Sequence, residues 1–212
     1  MSFRLLRLIG SVLPLVVALS SDANAQTLQL RTAGSGTDPI AAQVGDIVNL
    51  EVFADLGNVK SAGIAVYIGV PDGFQIVDLG NRLQEGTQPF APGPLFDGAL
   101  VAANQLLPED VAPAAAMAGQ QLDYGVIYGP GANRTVSGSG VVATFSLLCI
   151  KAAQKAVISI EDNPVRETKL VLTDGISEKR FLTVQGMDIA VEHATGTAVA
   201  PATWGLVKHS VR

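Results

Sequence analysis

The most restrictive feature of this chain is the spacing of its apolar residues, which alternate with polar residues in short segments. Segment 47–54 shows the pattern, because its apolar side chains at 48, 50, 52 and 54 share one face of an extended strand. Segments 63–70 and 141–149 repeat it. Clusters of glycine, proline, asparagine and aspartate separate these segments, and helical periodicity is nearly absent. An all-β fold is therefore predicted.

Applied along the whole chain, the pattern predicts about ten short strands. They cover residues 27–31, 47–54, 63–70, 74–79, 95–101, 122–128, 141–150, 156–160, 169–173, 181–184 and 187–191. Segment 81–94 is rich in proline and glycine, which is typical of a long loop between sheets. Segment 106–120 is compatible with a helical turn or with a loop. This strand spacing is typical of a β-sandwich of two antiparallel sheets.

The N-terminal segment has the pattern of a secretory signal peptide. Arg4 and Arg7 precede an apolar run from Leu8 to Leu19, and the small residues 23–25 follow. The apolar run is shorter than the roughly 20 residues that span a bilayer. We therefore expect export, with cleavage after Ala25, and no membrane span in the mature chain.

The remaining chain divides into three predicted parts. Residues 26–191 form the β-sandwich domain, residues 192–203 form a flexible linker rich in threonine, alanine, glycine and proline, and residues 204–212 form a tail. Trp204 and Lys208 make the tail aromatic and basic, which favours a docking or sorting role. A frayed tail that packs its tryptophan against the sandwich is the alternative.

The charge and the single cysteine exclude several classes of protein. A formal net charge of −5 and a pI near 4.9 provide no basic patch, so nucleic acid and anionic membranes are disfavoured partners. Cys149 has no second cysteine to pair with, and it lies on the apolar face of its strand. A small buried thiol is therefore predicted there rather than a nucleophile.

Catalytic and metal-binding patterns are missing from the sequence. The histidines, His193 and His209, both follow the last predicted strand, so a nucleophile with an adjacent base is not expected. Carboxylates for acid–base chemistry are present, but their separation does not follow from the sequence. They are Glu51, Asp78, Asp97, Asp123, Glu161 and Asp162. The Asp-Gly pairs at 72–73, 97–98 and 174–175 lack calcium-loop spacing and predict turns. No enzyme activity, metal or cofactor is predicted.

Several segments, in order along residues 28–191, resemble bacterial cohesin domains. They are Val44-Gly45-Asp46-Ile47-Val48, Asn58-Val59 before Ala62-Gly63-Ile64, Pro71-Asp72-Gly73-Phe74, residues 136–149, Leu172-Thr173-Asp174-Gly175 and residues 185–191. The resemblance implies a nine-stranded jelly roll whose first and last strands lie side by side. It also implies a non-catalytic module that binds a dockerin-like protein in extracellular polysaccharide breakdown. The chain lacks the duplicated calcium loop of a dockerin, so that partner would be another chain.

Two further functions remain open at this level. The fold that the resemblance implies is also used by carbohydrate-binding modules, which stack exposed rings on sugars. Tyr67 faces away from the apolar side of its strand, and Tyr124 and Tyr128 share one face of theirs, so an exposed aromatic patch is one expectation. The other is a structural surface or matrix protein. Exposed tyrosines would favour polysaccharide, and a face with few rings would favour a protein partner.

Overall fold

Alternating apolar residues form β-strands throughout the part of the chain that the computed structural model describes, which is residues 26–34, 40–80, 86–107, 119–129, 131–161 and 167–193. The predicted signal peptide, the linker beyond residue 193 and the tail lie outside these residues. Within the described residues the structure is almost entirely β, as predicted, and forms two packed sheets.

Fourteen strands and one short 3-10 turn, Pro94–Phe96, lie in the described residues. The strands are β1 (Thr27–Thr32), β2 (Ile40–Gln43), β3 (Ile47–Asp55), β4 (Ser61–Pro71), β5 (Phe74–Ile76), β6 (Phe90–Pro92), β7 (Leu100–Leu106), β8 (Gly119–Ile127), β9 (Ser139–Cys149), β10 (Ala153–Ile160), β11 (Lys169–Leu172), β12 (Glu178–Arg180), β13 (Thr183–Gln185) and β14 (Met187–Glu192). There are more strands than the sequence pattern predicts, because several of them are too short for a pattern that needs four or more alternating residues.

The two sheets have six and eight strands. The six-stranded sheet has the order β13-β1-β3-β9-β5, and β6 also pairs with β9. The eight-stranded sheet has the order β12-β11-β4-β10-β14-β2, with β8 added to β4 and β7 added to β8. The first and last strands lie side by side and parallel in both sheets, as β1 with β13 and β2 with β14. The closure that the cohesin resemblance implies is therefore present.

The core lies between the inner faces of the sheets. Leu50 of β3 and Leu147 of β9 come from one sheet, and Val66 of β4 and Ile158 of β10 come from the other; all four are fully buried. Burying one such side chain stabilises the fold by roughly 1.5–3 kcal/mol. The apolar alternation seen in the sequence therefore marks the inner face of each sheet.

The predicted strand at 95–101 is wrong. Pro94 has no amide hydrogen for a ladder, and the chain turns at Gly98, whose φ of +73° few residues other than glycine adopt. The segment is the 3-10 turn followed by β7, which begins at Leu100. The predicted loop 81–94 contains the short strand β6, and most of 106–120 lies outside the described residues.

The predicted strand at 181–184 is only partly present, because residues 181–182 lie in no strand and only 183–184 belong to β13. Strand β12 ends at Arg180 in the eight-stranded sheet, and β13 begins at Thr183 in the six-stranded sheet. The amides of Leu182 and Thr183 both donate to the Gln26 carbonyl, which brings the chain alongside β1. The break is where the chain crosses from one sheet to the other.

Candidate functional site

The expected patch of exposed tyrosines is wrong. The exposed fractions of Tyr67, Tyr124 and Tyr128 are 2%, 0% and 7%. Tyr124 and Tyr128 do share a face, but it is the inner face, because Tyr124 lies opposite the core residue Val66 in the β4–β8 pairing. A buried ring offers no surface on which a sugar can stack.

Tyr124 is a core residue that carries a polar hydroxyl group. Its ring centroid lies 5.0 Å from that of Phe90, and Phe90 lies 5.3 Å from Phe145, so the three rings join the two sheets. The Tyr124 hydroxyl is buried without a hydrogen-bond partner. Burial raises the pKa of Tyr124 to about 12, since the ionised phenolate is poorly solvated there.

Tyr128 holds the 3-10 turn against β8. Its hydroxyl donates to the Asp97 carbonyl at 3.2 Å, and its ring centroid lies 6.4 Å from that of Phe96. The guanidinium carbon of Arg134 lies 4.9 Å from the centre of the Tyr128 ring, a cation–π contact. These contacts give Tyr128 a structural role.

Tyr67 lies on the outer face of β4, as predicted, yet it too is buried. It lies opposite Asp123 of β8, and its amide donates to the Thr168 hydroxyl at 3.0 Å. Asp123 is itself only 5% exposed and accepts a hydrogen bond from Gln105 Nε2 at 3.1 Å. The outer face of this sheet therefore carries a row of polar groups, of which Tyr67 and Asp123 are buried and Gln105 is exposed.

A second polar group adjoins this row. Glu161 accepts hydrogen bonds from Gln121 Nε2 at 3.1 Å and from the Ser159 hydroxyl at 2.9 Å. Its carboxylate lies over Gly69, where a Cβ atom would come within 2.1 Å of Glu161 Oε1. The side-chain oxygen Oε1 of Gln121 is buried without a partner. Gln105 and Gln121 were not predicted as site residues; their polar character within otherwise apolar strands was the available signal.

Small residues continue the same face. Ala65 of β4, Gly125 of β8 and Ala103 of β7 lie side by side in register, one row from Tyr67, Asp123 and Gln105. We call these two rows the β4–β8–β7 face. It carries small and polar side chains, and its only ring is the buried one of Tyr67.

The candidate carboxylates have structural partners. Glu51 pairs with Arg31 at 2.5 Å, and the guanidinium of Arg31 lies 3.5 Å above the Phe53 ring. Asp78 accepts hydrogen bonds from the amides of Gln88 and Gly80, which lower the pKa of Asp78. Asp162 lies outside the described residues.

The predicted Asp-Gly turns at 72–73 and 174–175 are present. Gly73 and Gly175 have φ values of +105° and +71°. Asp174 accepts hydrogen bonds from the Ser177 hydroxyl and from the amides of Ile176 and Ser177, and these lower the pKa of Asp174. Within the described ranges no three His, Cys, Asp or Glu residues are grouped so that they could hold a metal ion.

Cys149 is a buried thiol, as predicted. It is 1% exposed, and burial, with a smaller contribution from the charge of Asp46, raises the pKa of Cys149. His193 is exposed just after β14, and His209 lies outside the described residues, as do Trp204 and Lys208. The tail's docking role stays a prediction. Among the residues with described structure, no helix has the length and apolar character of a membrane span.

Comparisons with known proteins identify the fold. No protein-family model matches the sequence, and no curated protein matches it. A type II cohesin domain from the cellulosome of Acetivibrio cellulolyticus matches with a TM-score of 0.57 at 17% identity, covering 78% of this chain and 95% of that one. A non-cellulosomal cohesin from the archaeon Archaeoglobus fulgidus matches with a TM-score of 0.52 at 12% identity, covering 79% and 91%.

A third solved structure contains a bound partner. It is a type II cohesin–X–dockerin complex from Acetivibrio cellulolyticus, which matches with a TM-score of 0.57 at 18% identity and covers 79% of this chain and 99% of that one. These identities are too low to transfer a function, but the shared strand arrangement spans nearly the whole of each relative. The chain therefore has the cohesin β-sandwich fold, in agreement with the resemblance seen in its sequence.

Proposed function

We propose that this protein is an exported, non-catalytic module that binds another protein, with a dockerin-like module as its partner. The observation that carries the proposal is the cohesin fold, since solved relatives with this fold include complexes with dockerins. The sequence supports it, because the two histidines of the chain both follow the last predicted strand. Fold alone does not establish function, so the binding surface has to carry the argument.

We propose the β4–β8–β7 face as the contact surface. Its row of small residues, Ala65, Gly125 and Ala103, allows a partner to approach the sheet closely. Gln105, which is exposed, provides hydrogen-bonding groups at the edge of that row. Small apolar residues flanked by polar ones suit a protein interface, where the centre excludes water and the rim does not.

The structure does not contain the exposed tyrosines that favoured polysaccharide binding. That function depended on Tyr67, Tyr124 and Tyr128 being exposed, and all three rings are buried. A role in extracellular polysaccharide breakdown, and export through the N-terminal segment, belong to the proposal as consequences of the dockerin-like partner and of the leader pattern.

The binding partner is tested by affinity capture. The tagged full-length chain is incubated with culture medium of the source organism, with and without a calcium chelator, and captured proteins are identified by mass spectrometry. We expect a protein that carries a duplicated calcium loop and that is released by the chelator. Parallel incubation with insoluble cellulose, chitin and xylan should give no retention. Retention on a glycan without capture of such a protein would contradict the proposal.

The binding face is tested by a matched pair of substitutions. Ala103→Glu places a carboxylate on the β7 strand of the β4–β8–β7 face, whereas Ala41→Glu places one on the exposed strand β2, four strands from β8 in the same sheet. Burying an unpaired charge costs several kcal/mol, so Ala103→Glu should weaken capture about 100-fold or more. Ala41→Glu should leave it unchanged. Equal effects of the two variants would refute this choice of face.

A further inference from the structure

Glu161 has a partly buried carboxylate without a positively charged partner. Among the described residues, no lysine or arginine forms an ion pair with it. Lys169 of the neighbouring strand β11 is engaged elsewhere, with Glu178 at 2.7 Å and Glu167 at 3.7 Å. Charged groups that are withdrawn from water are normally paired, so this carboxylate lacks the partner that such groups have.

The position of Glu161 is fixed by hydrogen bonds on both sides. Its amide donates to the Tyr67 carbonyl at 2.9 Å, and its backbone carbonyl accepts from the Thr168 hydroxyl at 2.7 Å. These bonds place Glu161 beside Tyr67, at the border of the β4–β8–β7 face. The Ser159 hydroxyl and Gln121 Nε2 hold the carboxylate itself. A group that is already held in place loses little conformational freedom when it binds a ligand.

The carboxylate occupies space that Gly69 leaves free. Gly69 lies opposite Ser159 of β10 on one side and opposite Gln121 of β8 on the other. A Cβ atom at this position would lie 2.1 Å from Glu161 Oε1 and 2.7 Å from the Ser159 hydroxyl oxygen. Any larger residue at 69 would therefore displace the carboxylate, which makes Gly69 a positioning residue.

Gln121 provides a second acceptor beside this carboxylate. The residue is 2% exposed, and its Nε2 donates to Glu161 Oε2 while its Oε1 has no hydrogen-bond partner. Because Oε1 and Nε2 belong to one amide group, the unpaired oxygen lies next to the carboxylate. A buried acceptor without a donor is unfavourable. We call Glu161, Gln121, Ser159 and Gly69 the Glu161 site; it presents two adjacent acceptors, one of them charged, that lack a cationic donor.

We infer that the Glu161 site accepts the guanidinium group of an arginine side chain from the protein partner. A guanidinium is planar and permanently charged, and its forked N–H groups suit two neighbouring acceptors. The net charge of −5 also attracts positively charged groups to this chain. The inference rests on the proposed function for the source of the arginine. A partner without this arginine would leave both acceptors unpaired, so the site contributes to specificity.

Other cations fit the site less well. A lysine ammonium is a compact, strongly hydrated charge and does not present a planar fork of donors. A calcium ion takes about six to eight oxygen ligands. Within the described ranges, no group of three His, Cys, Asp or Glu residues is placed to hold a metal ion, here or elsewhere.

A titration of the isotope-labelled full-length chain, followed by nuclear magnetic resonance, tests the inference without the partner. The probe is a capped alanine pentapeptide with one central arginine, added from about 1 to about 50 mM at constant ionic strength, since a single side chain binds weakly. The signals of the Gln121 side-chain amide and the Gly69 backbone amide should shift and saturate. The same peptide with citrulline, which has the shape of arginine but no charge, should not shift them.

Two matched pairs of variants assign the contact. Glu161→Gln removes the charge but keeps an acceptor for Gln121, and it should raise Kd about tenfold or more. Glu192→Gln removes a charge at the exposed end of β14 and should leave Kd unchanged. Gly69→Ala displaces the carboxylate without changing the net charge, so it should also weaken binding. Gly129→Ala, whose Cβ would lie 3.5 Å from Leu100 Cδ1, should not.

Several outcomes would overturn the inference. They are equal binding of the arginine and citrulline peptides, tighter binding of a lysine peptide, an arginine affinity that Glu161→Gln leaves unchanged, and saturation of the same signals by calcium chloride alone. The affinity capture is a separate measurement. If no protein is captured, the proposed partner fails while the titration stands; if a protein is captured equally by the wild-type and Glu161→Gln chains, only the arginine contact fails.

Discussion

The buried Tyr124, in β8, and Tyr128, just after that strand, predict opposite effects of the same substitution. Tyr124 and Tyr128 lie on the inner face, and replacing either by phenylalanine removes only a hydroxyl group. The Tyr128 hydroxyl donates to the Asp97 carbonyl, whereas the Tyr124 hydroxyl has no partner. The two variants therefore compare how a satisfied buried hydroxyl and an unsatisfied one contribute to the free energy of unfolding.

The magnitudes follow from the two environments. A buried polar group without a partner costs about 1–3 kcal/mol of desolvation, and a made hydrogen bond contributes about 0.5–1.5 kcal/mol. Tyr124→Phe leaves a small gap that offsets part of its gain, so we expect the free energy of unfolding to rise by about 1 kcal/mol. For Tyr128→Phe we expect a fall of about 1 kcal/mol. Urea unfolding at pH 8, followed by circular dichroism, measures both changes. A fall for Tyr124→Phe would refute the reasoning.

The buried Tyr124 hydroxyl also predicts that the stability of the folded chain falls at alkaline pH. Burial raises the pKa of Tyr124 from 10.0 to about 12. The neutral phenol is therefore favoured in the folded chain, and the associated stability is complete below pH 10 and is lost as the pH rises from 10 to 12. At 1.36 kcal/mol per pKa unit, the wild-type chain should lose up to about 3 kcal/mol more than the Tyr124→Phe variant over this interval. Parallel pH profiles of the two chains would contradict the assigned burial.

Three further substitutions test the close packing of the sheets and the side-chain hydrogen bonds of Asn104. Gly63→Ala should lower the free energy of unfolding by about 1–3 kcal/mol, because its Cβ would lie 2.5 Å from the Val126 carbonyl oxygen. Gly125→Ala is the control: its Cβ would lie 3.7 Å from the nearest atoms, so stability should change little, and equal losses in thermal unfolding would count against the argument. Asn104→Ala should cost about 1–3 kcal/mol, since it leaves the Phe90 amide and carbonyl without partners. Rapid exchange of the Phe90 amide in that variant would support this cause, and unchanged exchange would exclude it.

The fold shows how a known architecture can persist without recognisable sequence identity. Solved cohesin structures share 11–18% of their residues with this chain, yet match its fold with TM-scores of 0.52 to 0.57. A β-sandwich needs apolar residues at every second position of its strands and turn residues between them, and many sequences satisfy that requirement. Surface residues are under no such constraint, so they can differ while the fold is kept.

The candidate site was less accessible to sequence reasoning than the fold. Alternation correctly placed Tyr124 and Tyr128 on one face and Tyr67 on the side away from Ile64, but it does not say whether a face is covered. Asp123 had only the appearance of a solvated strand residue, although it is 5% exposed beside Gln105. Burial of a polar group depends on neighbours that are distant in the chain, and no local pattern contains them.

The sequence by itself determined the all-β class, the approximate positions of most strands, the turn at Asp72-Gly73 and the burial of Cys149. Each of these follows from interactions between residues that are close along the chain, or from the simple period of a strand. The tertiary structure alone decided that β4 pairs with three strands, that Tyr124 faces the core and that β7 is left at an edge. These outcomes depend on pairings between residues far apart in sequence, whose energies become defined only when the sheets close.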